Sequence, residues 1–515
     1  MVNLHSRHEM KSRTENSAHN FIYSIVAQLS TVILTFFSRT VFIESLGEEY
    51  LGINGLFSNI ITILSLAELG IGTAIVYSMY QPISEGNEEK IAALVGYYKH
   101  LYSILAIAVT GIGLAFFPFL DFFINFDRDI PYIKYYYFLF LLQTVSSYLI
   151  VYRTSILTAD QKNFLITRNE IIGNFVSVIG QILVLKLTDS YALYTIVHIV
   201  VGLAVNWINS RRAVRYYPYI TEKHVLSTKE KKDIWINIKS MFAYKVGGVI
   251  LNNTDNLLIS KLVGTVVVGY YSNYSLLISK ISNMVNLIFT SIQASLGNYN
   301  VEKEGKDMYS MFKIISFIEY WVYAFCSISF CLLTNDFIEL WIGKRFVLAD
   351  NILYVCVLNF YIQGVLYPIW CYRNTTGLFK DTRFLMYFAA VINLVLSILL
   401  GMRYGLLGIL VSTAIARMAT NLWYEPYILF DKYFSIKVKE YYFRELGRIV
   451  KIGLYIVISQ FIFNKIQIER LGILLLVKIG YCVFVPNILL WIENRKSEEY
   501  SYVLQRVAGL VHRKL

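Results

Sequence analysis

Apolar residues in this chain come in blocks of roughly 20, the length at which an α-helix crosses the hydrocarbon core of a bilayer. In hydrocarbon every backbone N–H and C=O must be paired within the protein, so a chain of such blocks folds as serial helices. The blocks fall near 20–42, 54–80, 97–119, 134–152, 169–187, 190–209, 239–262, 271–297, 311–333, 350–371, 384–401, 404–424, 447–464 and 472–492. Hydrophobic residues make up 56% of the 515, charged residues 16%, and mean hydropathy is +0.51. A soluble domain of this length does not carry that balance. The expected fold class is therefore all-α, a polytopic membrane protein with about 14 transmembrane helices.

The first 19 residues are polar and weakly basic. The apolar run that follows has no small-residue cleavage site and is too long for a signal-peptide core, so it reads as a retained first span. Most of the 47 Lys and Arg residues fall in the two tails and the even-numbered loops. The positive-inside rule then places both termini in the cytoplasm. The net charge of +12 is mostly this topological signal, with attraction to anionic membrane lipids, and implies no nucleic-acid partner.

The stretch from Ser38 to Lys90 recurs later in the chain. Gly47 and Gly52, followed by Phe57-Ser58, return as Gly264 and Gly269, followed by Tyr274-Ser275, at a constant offset of 217. Asp121-Phe122 after span three matches Asp336-Phe337 after span nine, at an offset of 215. Tyr152-Arg153 matches Tyr372-Arg373, and Phe164-Leu165 matches Phe384-Leu385, both at an offset of 220. Six spans separate the copies, so both halves share one orientation and an axis along the membrane normal relates them. The expected layout is an N-terminal tail (1–19), a first six-helix lobe (20–209) and a basic linker (210–238). A second six-helix lobe (239–425), a connection with two extra helices (426–492) and a C-terminal tail (493–515) follow.

Polar residues inside the spans recur at helical spacing. Span one carries Gln28, Thr31, Thr35 and Arg39; span two carries Ser58, Thr62, Ser65 and Glu68. The repeat-equivalent spans seven and eight carry Lys245, Asn252, Asp255 and Asn256, then Asn273, Lys280, Asn283 and Thr290. Such stripes either line a hydrated interior or let helices approach closely. Arg39, near the outer end of its span, either snorkels to headgroups or faces the interior. Lys280 and Arg417 lie deeper. Glu68 and Asp255 are candidate charge partners for these cations, or candidate proton or cation coupling groups. Glu319 lies close to the cytoplasmic surface and reads as interfacial. His198, in the middle of span six, reads as a hydrogen-bonded packing residue.

The runs ELGIGTAIVYSMYQPISEGNEEKI, TDNLLISKLVGTVVVGYYSNYSLL and DFIELWIGKRF resemble the bacterial polysaccharide-unit flippases of the O-antigen and capsule type. These belong to the multidrug/oligosaccharidyl-lipid/polysaccharide exporter superfamily. The resemblance covers about residues 20–425, and the last helix pair fits the fourteen-span pattern. It implies a multi-pass protein of the bacterial cytoplasmic (inner) membrane, with a V-shaped cavity between two six-helix lobes that opens alternately to either side. The implied cargo is undecaprenyl-diphosphate-linked oligosaccharide, turned over from the cytoplasmic to the outer leaflet during cell-surface polysaccharide synthesis. Other polysaccharide-assembly membrane proteins are implied partners. On that reading Arg39, Lys280 and Arg417 would hold the diphosphate. Gln28, Thr35, Asn252, Asn256, Asn273 and Asn283 would hydrate the sugars.

Enzyme signatures are absent. The chain has no phosphate-cradling Gly-rich loop, no zinc motif and no nucleophile elbow, so no catalytic residue, metal or cofactor is expected. The five cysteines lie in or beside apolar segments without metal-ligand spacing. A lipid II flippase and a drug/cation antiporter of the same superfamily are the alternative transport readings. The enzyme alternative, a membrane polysaccharide polymerase or ligase, would need a large outer loop for its active groups, and every outer loop here is short.

Overall fold

The computed structural model describes the backbone of residues 2–512 except 66, 67, 69, 70, 125–129, 303–305, 377, 379–381, 383 and 467. The side chains of 2–18, 21, 73, 237, 240, 241, 243–247, 249–252, 288, 290–295, 297–302, 306, 307, 374, 376 and 507–512 also lie outside the description. Among the described residues the chain is helical throughout, without strands. Its helices are α1 (Val2–Leu64), α2 (Ile71–Glu85), α3 (Glu88–Phe116), α4 (Leu120–Phe123), α5 (Ile133–Val151) and α6 (Ser155–Ala159). Then come α7 (Asn163–Thr188), α8 (Tyr191–Tyr216), α9 (Thr228–Asn253), α10 (Asp255–Leu262), α11 (Thr265–Glu302) and α12 (Lys306–Ile342). The last are α13 (Asp350–Thr376), α14 (Leu385–Ala419), α15 (Asn421–Leu429), α16 (Lys439–Lys465), α17 (Leu471–Asn494) and α18 (Glu498–His512).

Nine helical stretches among the described residues are long and apolar enough to cross a membrane. Two of them, Ile22–Leu64 and Leu385–Phe434, carry more than one expected span. The break in each is a single glycine in the positive-φ region, Gly47 (φ 86°) and Gly405 (φ 59°), where a Cβ would clash with the backbone. The acidic segment around Gly47, expected as a loop, is instead helical on both sides of that one residue. The other expected spans lie on α2, α5, α9 with α10, and α11. The fold is that of a multi-pass membrane protein.

The chain divides into two compact units, residues 1–269 and 270–515. In the first, α1 packs on α7, α7 on α8, α5 on α8 and α3 on α5, while α9 and α10 pack on α1. The repeat glycines mark the tightest approach: a Cβ on Gly52 would lie 2.2 Å from the Thr265 carbonyl oxygen. One on Gly269 would lie 3.1 Å from the Gly52 nitrogen. Here two backbones touch, and only hydrogen fits between them.

The basic segment between the sixth and seventh spans is docked rather than free. The Tyr217 hydroxyl donates to Asp160, and Lys162 lies 2.7 Å from Asp160 and 3.0 Å from the Tyr217 hydroxyl. Ser227 caps α9, accepting from the Glu230 amide at 3.3 Å. Glu230 reaches back to the Ser227 amide at 2.9 Å, completing a capping box. Lys90 joins it at 3.2 Å. The Ser227 hydroxyl and amide, and then Lys90, hold the Glu230 carboxyl below its ordinary range.

The second unit packs α12 against α13, α16 and α17, and α13 against α14. Phe312, Tyr372, Phe430, Phe434 and Tyr441 form one ring cluster with centroids 5.2–5.9 Å apart where contacts are made, tying α16 to the unit's core. Each such pair adds about 0.5–1.5 kcal/mol beyond its buried area. Within α14, a Cβ on Gly408 would stand 2.1 Å from the Leu400 carbonyl oxygen, so the two halves of the helical hairpin meet at a glycine.

Two predictions follow from these contacts. Gly408→Ala is expected to cost about 1–3 kcal/mol by overpacking, seen as a lower thermal midpoint in detergent. Gly447→Ala, with open space at its Cβ, should leave the midpoint unchanged or raise it. The lowered Glu230 pKa gives a stabilising contribution present above the ordinary carboxyl value of 4.5 and lost as pH falls through the lower folded value. Amide exchange of the first turn of α9, corrected for intrinsic rates, should therefore quicken at acid pH in the wild type. In Glu230→Gln it should be fast already at neutral pH.

Candidate functional site

A cavity of about 490 Å³ opens inside the first unit. Span one contributes Thr31, Thr35, Ser38 and Arg39 to its wall, and the second half of α1 contributes Asn54 and Ser58. Gln143 and Thr144 of α5, Asn174, Ser177 and Gln181 of α7, and Thr195 and His198 of α8 complete the polar lining. Apolar side chains between them keep the wall amphipathic. Among the described residues lining the cavity, none is Asp or Glu.

Local hydrogen bonding explains how so polar a wall survives inside a membrane helix bundle. Thr35 donates to the Thr31 carbonyl at 2.5 Å, Ser58 to Asn54 at 2.6 Å and Thr195 to Tyr191 at 2.9 Å. Each hydroxyl hydrogen is spent on its own helix, and oxygen lone pairs remain for a ligand or water. Ser177 and the His198 Nδ1 lie 3.2 Å apart, and Gln181 donates to the Tyr194 carbonyl at 3.4 Å. Arg39 faces Tyr194. Beside them, Tyr191 sits among Tyr136, Tyr50 and Tyr194, with ring centroids 4.8, 5.1 and 6.2 Å away. Phe42 adds a sixth-span contact to Tyr194 at 5.0 Å.

The structure therefore brings together Thr35 and Arg39, along with Thr31 and Ser58 of the sequence stripes. Gln28 is part-exposed and outside the cavity wall. Glu68 accepts from the Tyr102 hydroxyl at 2.9 Å, and Tyr98 donates to Tyr102 at 3.0 Å; its close partners are tyrosines rather than a cation. Asp255 is buried in the first turn of α10, and Asn256 follows it with a buried side-chain oxygen lacking a hydrogen bond. The side chains of Lys245, Asn252 and Thr290 lie outside the described residues. In the second unit, Asn273 is fully buried on α11, Lys280 is half-buried and Asn283 exposed. Arg417 is buried on α14 and donates to the Asn359 carbonyl of α13 at 3.3 Å.

The residues missed by sequence reasoning are Ser38 and Asn54 of α1 and, His198 apart, those of spans four to six. Asn174, Ser177 and Gln181 recur at helical spacing, so the signal was present. It also repeats: Asn393 and Ser397 of α14 stand 219 and 220 residues after Asn174 and Ser177, and Arg417 stands 219 after His198. Asn393 donates to Thr413 at 2.9 Å, so a polar contact between the last two spans recurs in each half.

Comparison with known proteins now places the chain. Residues 17–292, more than half of it, match the family model described as polysaccharide biosynthesis protein. The chain belongs to that family. Among solved structures it is similar to the lipid II flippase MurJ in an inward closed conformation, with a TM-score of 0.65 and 16% identity. That match covers 92% of this chain and 99% of MurJ. It is also similar to an inward-facing multidrug resistance MATE family transporter of the MOP superfamily (TM-score 0.57, 14% identity, 77% and 96% covered). A Vibrio cholerae MATE transporter gives a TM-score of 0.55 at 15% identity, with 81% and 97% covered. At these identities the likeness is one of fold. No curated protein matches the sequence.

A hydrated cavity has a direct test. In a cysteine-free background, Thr195→Cys is expected to react readily with a water-soluble maleimide in membranes. Ile107→Cys, 75% exposed on the outer surface of α3, should react at least about tenfold more slowly, because lipid does not support the thiolate. Equal rates would mean the cavity is dry.

Proposed function

We propose that this protein is a flippase that moves undecaprenyl-diphosphate-linked oligosaccharide units from the cytoplasmic to the outer leaflet of the bacterial cytoplasmic membrane by alternating access. The observation that carries this reading is the cavity wall of the first unit, rich in amides and hydroxyls, holding Arg39 and His198 and, among the described residues, no carboxylate. A sugar headgroup needs many neutral hydrogen-bonding partners, and a diphosphate needs cations. A cavity for cationic drugs would instead need acidic groups, so its composition argues against the antiporter reading.

In this mechanism Arg39 meets the anionic end of the headgroup, while Thr35, Asn54, Asn174 and Gln181 exchange hydrogen bonds with sugar hydroxyls. Tyr194, on the cavity wall, offers an aromatic face for a pyranose ring. Arg417 and Lys280 of the second unit supply further positive charge along the route, and the polyprenyl tail stays in lipid. Both termini remain in the cytoplasm. The chain then acts as a transporter within polysaccharide assembly and carries out no bond chemistry of its own.

The test is headgroup translocation in proteoliposomes holding an undecaprenyl-diphosphate oligosaccharide, with lipid II as a parallel cargo. Arg39→Gln is expected to slow oligosaccharide translocation about tenfold or more, the loss of one charge-assisted hydrogen bond. Unchanged translocation in a folded Arg39→Gln protein would remove the cationic role. Translocation of lipid II alone would assign the alternative cargo.

A further inference from the structure

Glu319, on α12, is 1% exposed, and its Oε1 is buried without a hydrogen-bond partner. Residues of α16 lie beside it, so the side chain expected near the cytoplasmic surface is enclosed by protein. From α16, Glu445, Arg448 and Arg444 face Glu319. Arg448 lies 2.8 Å from Glu445 and donates to the Ser316 hydroxyl at 3.0 Å; Arg444 lies 3.4 Å from Glu445. The second oxygen of Glu445 and the hydroxyl of Tyr361, on α13, are likewise buried without partners.

This arrangement separates the roles of two carboxyls. Glu445 takes both guanidinium contacts at one oxygen, whereas Glu319 has, among the described residues, no guanidinium within 4.0 Å. Glu319 keeps an oxygen with nothing donating to it, which is costly for a carboxylate in a dry interior and harmless for a carboxylic acid. With both carboxyls ionised, two negative charges match two positive ones. When Glu319 is neutral, one positive charge is left over. The two states differ by one proton.

We propose that Glu319 is a proton-binding site of the transporter, its carboxylate taking up one proton at Oε1 and releasing it again as the cluster alternates between neutral and singly positive. No covalent bond other than O–H forms or breaks. The inference rests on the transport reading above and supplies it with a coupling ion. A metal cation fits the site poorly, since the guanidiniums of Arg444 and Arg448 face it and repel it. Other titratable groups around the site are accounted for. Tyr323 on α12 and Tyr441 on α16 face Glu319. Glu493 on α17 accepts from Tyr320 and pairs with Lys451, and Glu499 on α18 lies 3.8 Å from Lys313. Arg444 is part-exposed, so the cluster has one edge at the protein surface.

Comparison between the halves separates this from ordinary packing. At the repeat offset of 215 the first half holds Ile104, 51% exposed on the surface of α3. A plain lipid-facing residue suffices there. In the second half the same position carries an acid, and α16, which has no counterpart in the first half, arrives with two arginines and a second acid to cover it.

The experiment is infrared difference spectroscopy of the purified full-length protein titrated from acid to alkaline pH. A protonated-carboxyl C=O band that titrates is expected in the wild type, lost in Glu319→Gln and retained, shifted in frequency, in Glu319→Asp. Thermal midpoints of the variants check folding, and Gln mimics the neutral acid in volume. A band identical in wild type and Glu319→Gln, or one that responds to sodium and not to pH, overturns the proposal. Proteoliposome translocation driven by a pH gradient is measured beside it. A Glu319 band without any lipid translocation leaves the proton site standing and overturns the transport reading; translocation without the band does the reverse.

Discussion

The constraint on which everything else depends is that hydrocarbon offers no hydrogen bonds. Every peptide group must pair within its own helix, so the chain has little freedom except in where its helices bend and how closely they approach. Those freedoms are spent at glycines. Gly47 and Gly405 reverse the path of the chain in one residue, and Gly52 and Gly408 let backbones touch at distances no Cβ tolerates. The repeated Gly47/Gly52 and Gly264/Gly269 spacing is thus a packing rule written twice, and Gly264 too has a positive φ of 137°.

The same constraint governs polar side chains. A hydroxyl in hydrocarbon first satisfies itself on its own helix, as Thr35, Ser58 and Thr195 do. A stripe of such residues is cheap to fold, and it becomes a wetted wall only when several stripes face one another. Arg39 lies on such a wall, with Tyr194 before it. This is a surface for many weak, replaceable hydrogen bonds, of the kind the proposed headgroup would need in order to leave as readily as it enters.

The spans were legible because a bilayer-length apolar block admits little besides a helix, and the internal repeat was legible because glycines cannot be substituted where backbones touch. The stripe of span one was legible from its period. Apart from His198, the contributions of α5, α7 and α8 were not singled out, since an isolated Gln143 or Thr195 looks the same whether it faces a cavity or a neighbouring helix. Glu68 was legible as an interior acid, but its partners Tyr102 and Tyr98 come from a different span, and no local pattern links them. Arg153 and Arg373 were aligned by the repeat, yet they meet different groups. Arg153 donates to Ser210 at 3.4 Å, whereas Arg373 lies 3.0 Å from the buried Glu425. A repeat fixes where a cation stands, and the later divergence of its neighbours fixes what it does.

Glu319 shows the limit most plainly. Its place near the end of an apolar block is where acids commonly meet water, so an interfacial role was the natural expectation. What removes the water is α16, more than a hundred residues away in sequence, whose Arg444 and Arg448 then supply the charge that makes burial tolerable. Had stability alone been served, an apolar residue of similar volume would have cost less, as Ile104 at the repeat-equivalent position illustrates. Two acids and two arginines arranged so that one acid takes both guanidinium contacts and the other takes neither amount, on the proposed reading, to a balance that a single proton can tip. The appended helices thus do more than enlarge the second half: they turn one exposed face of a duplicated fold into a charged interior.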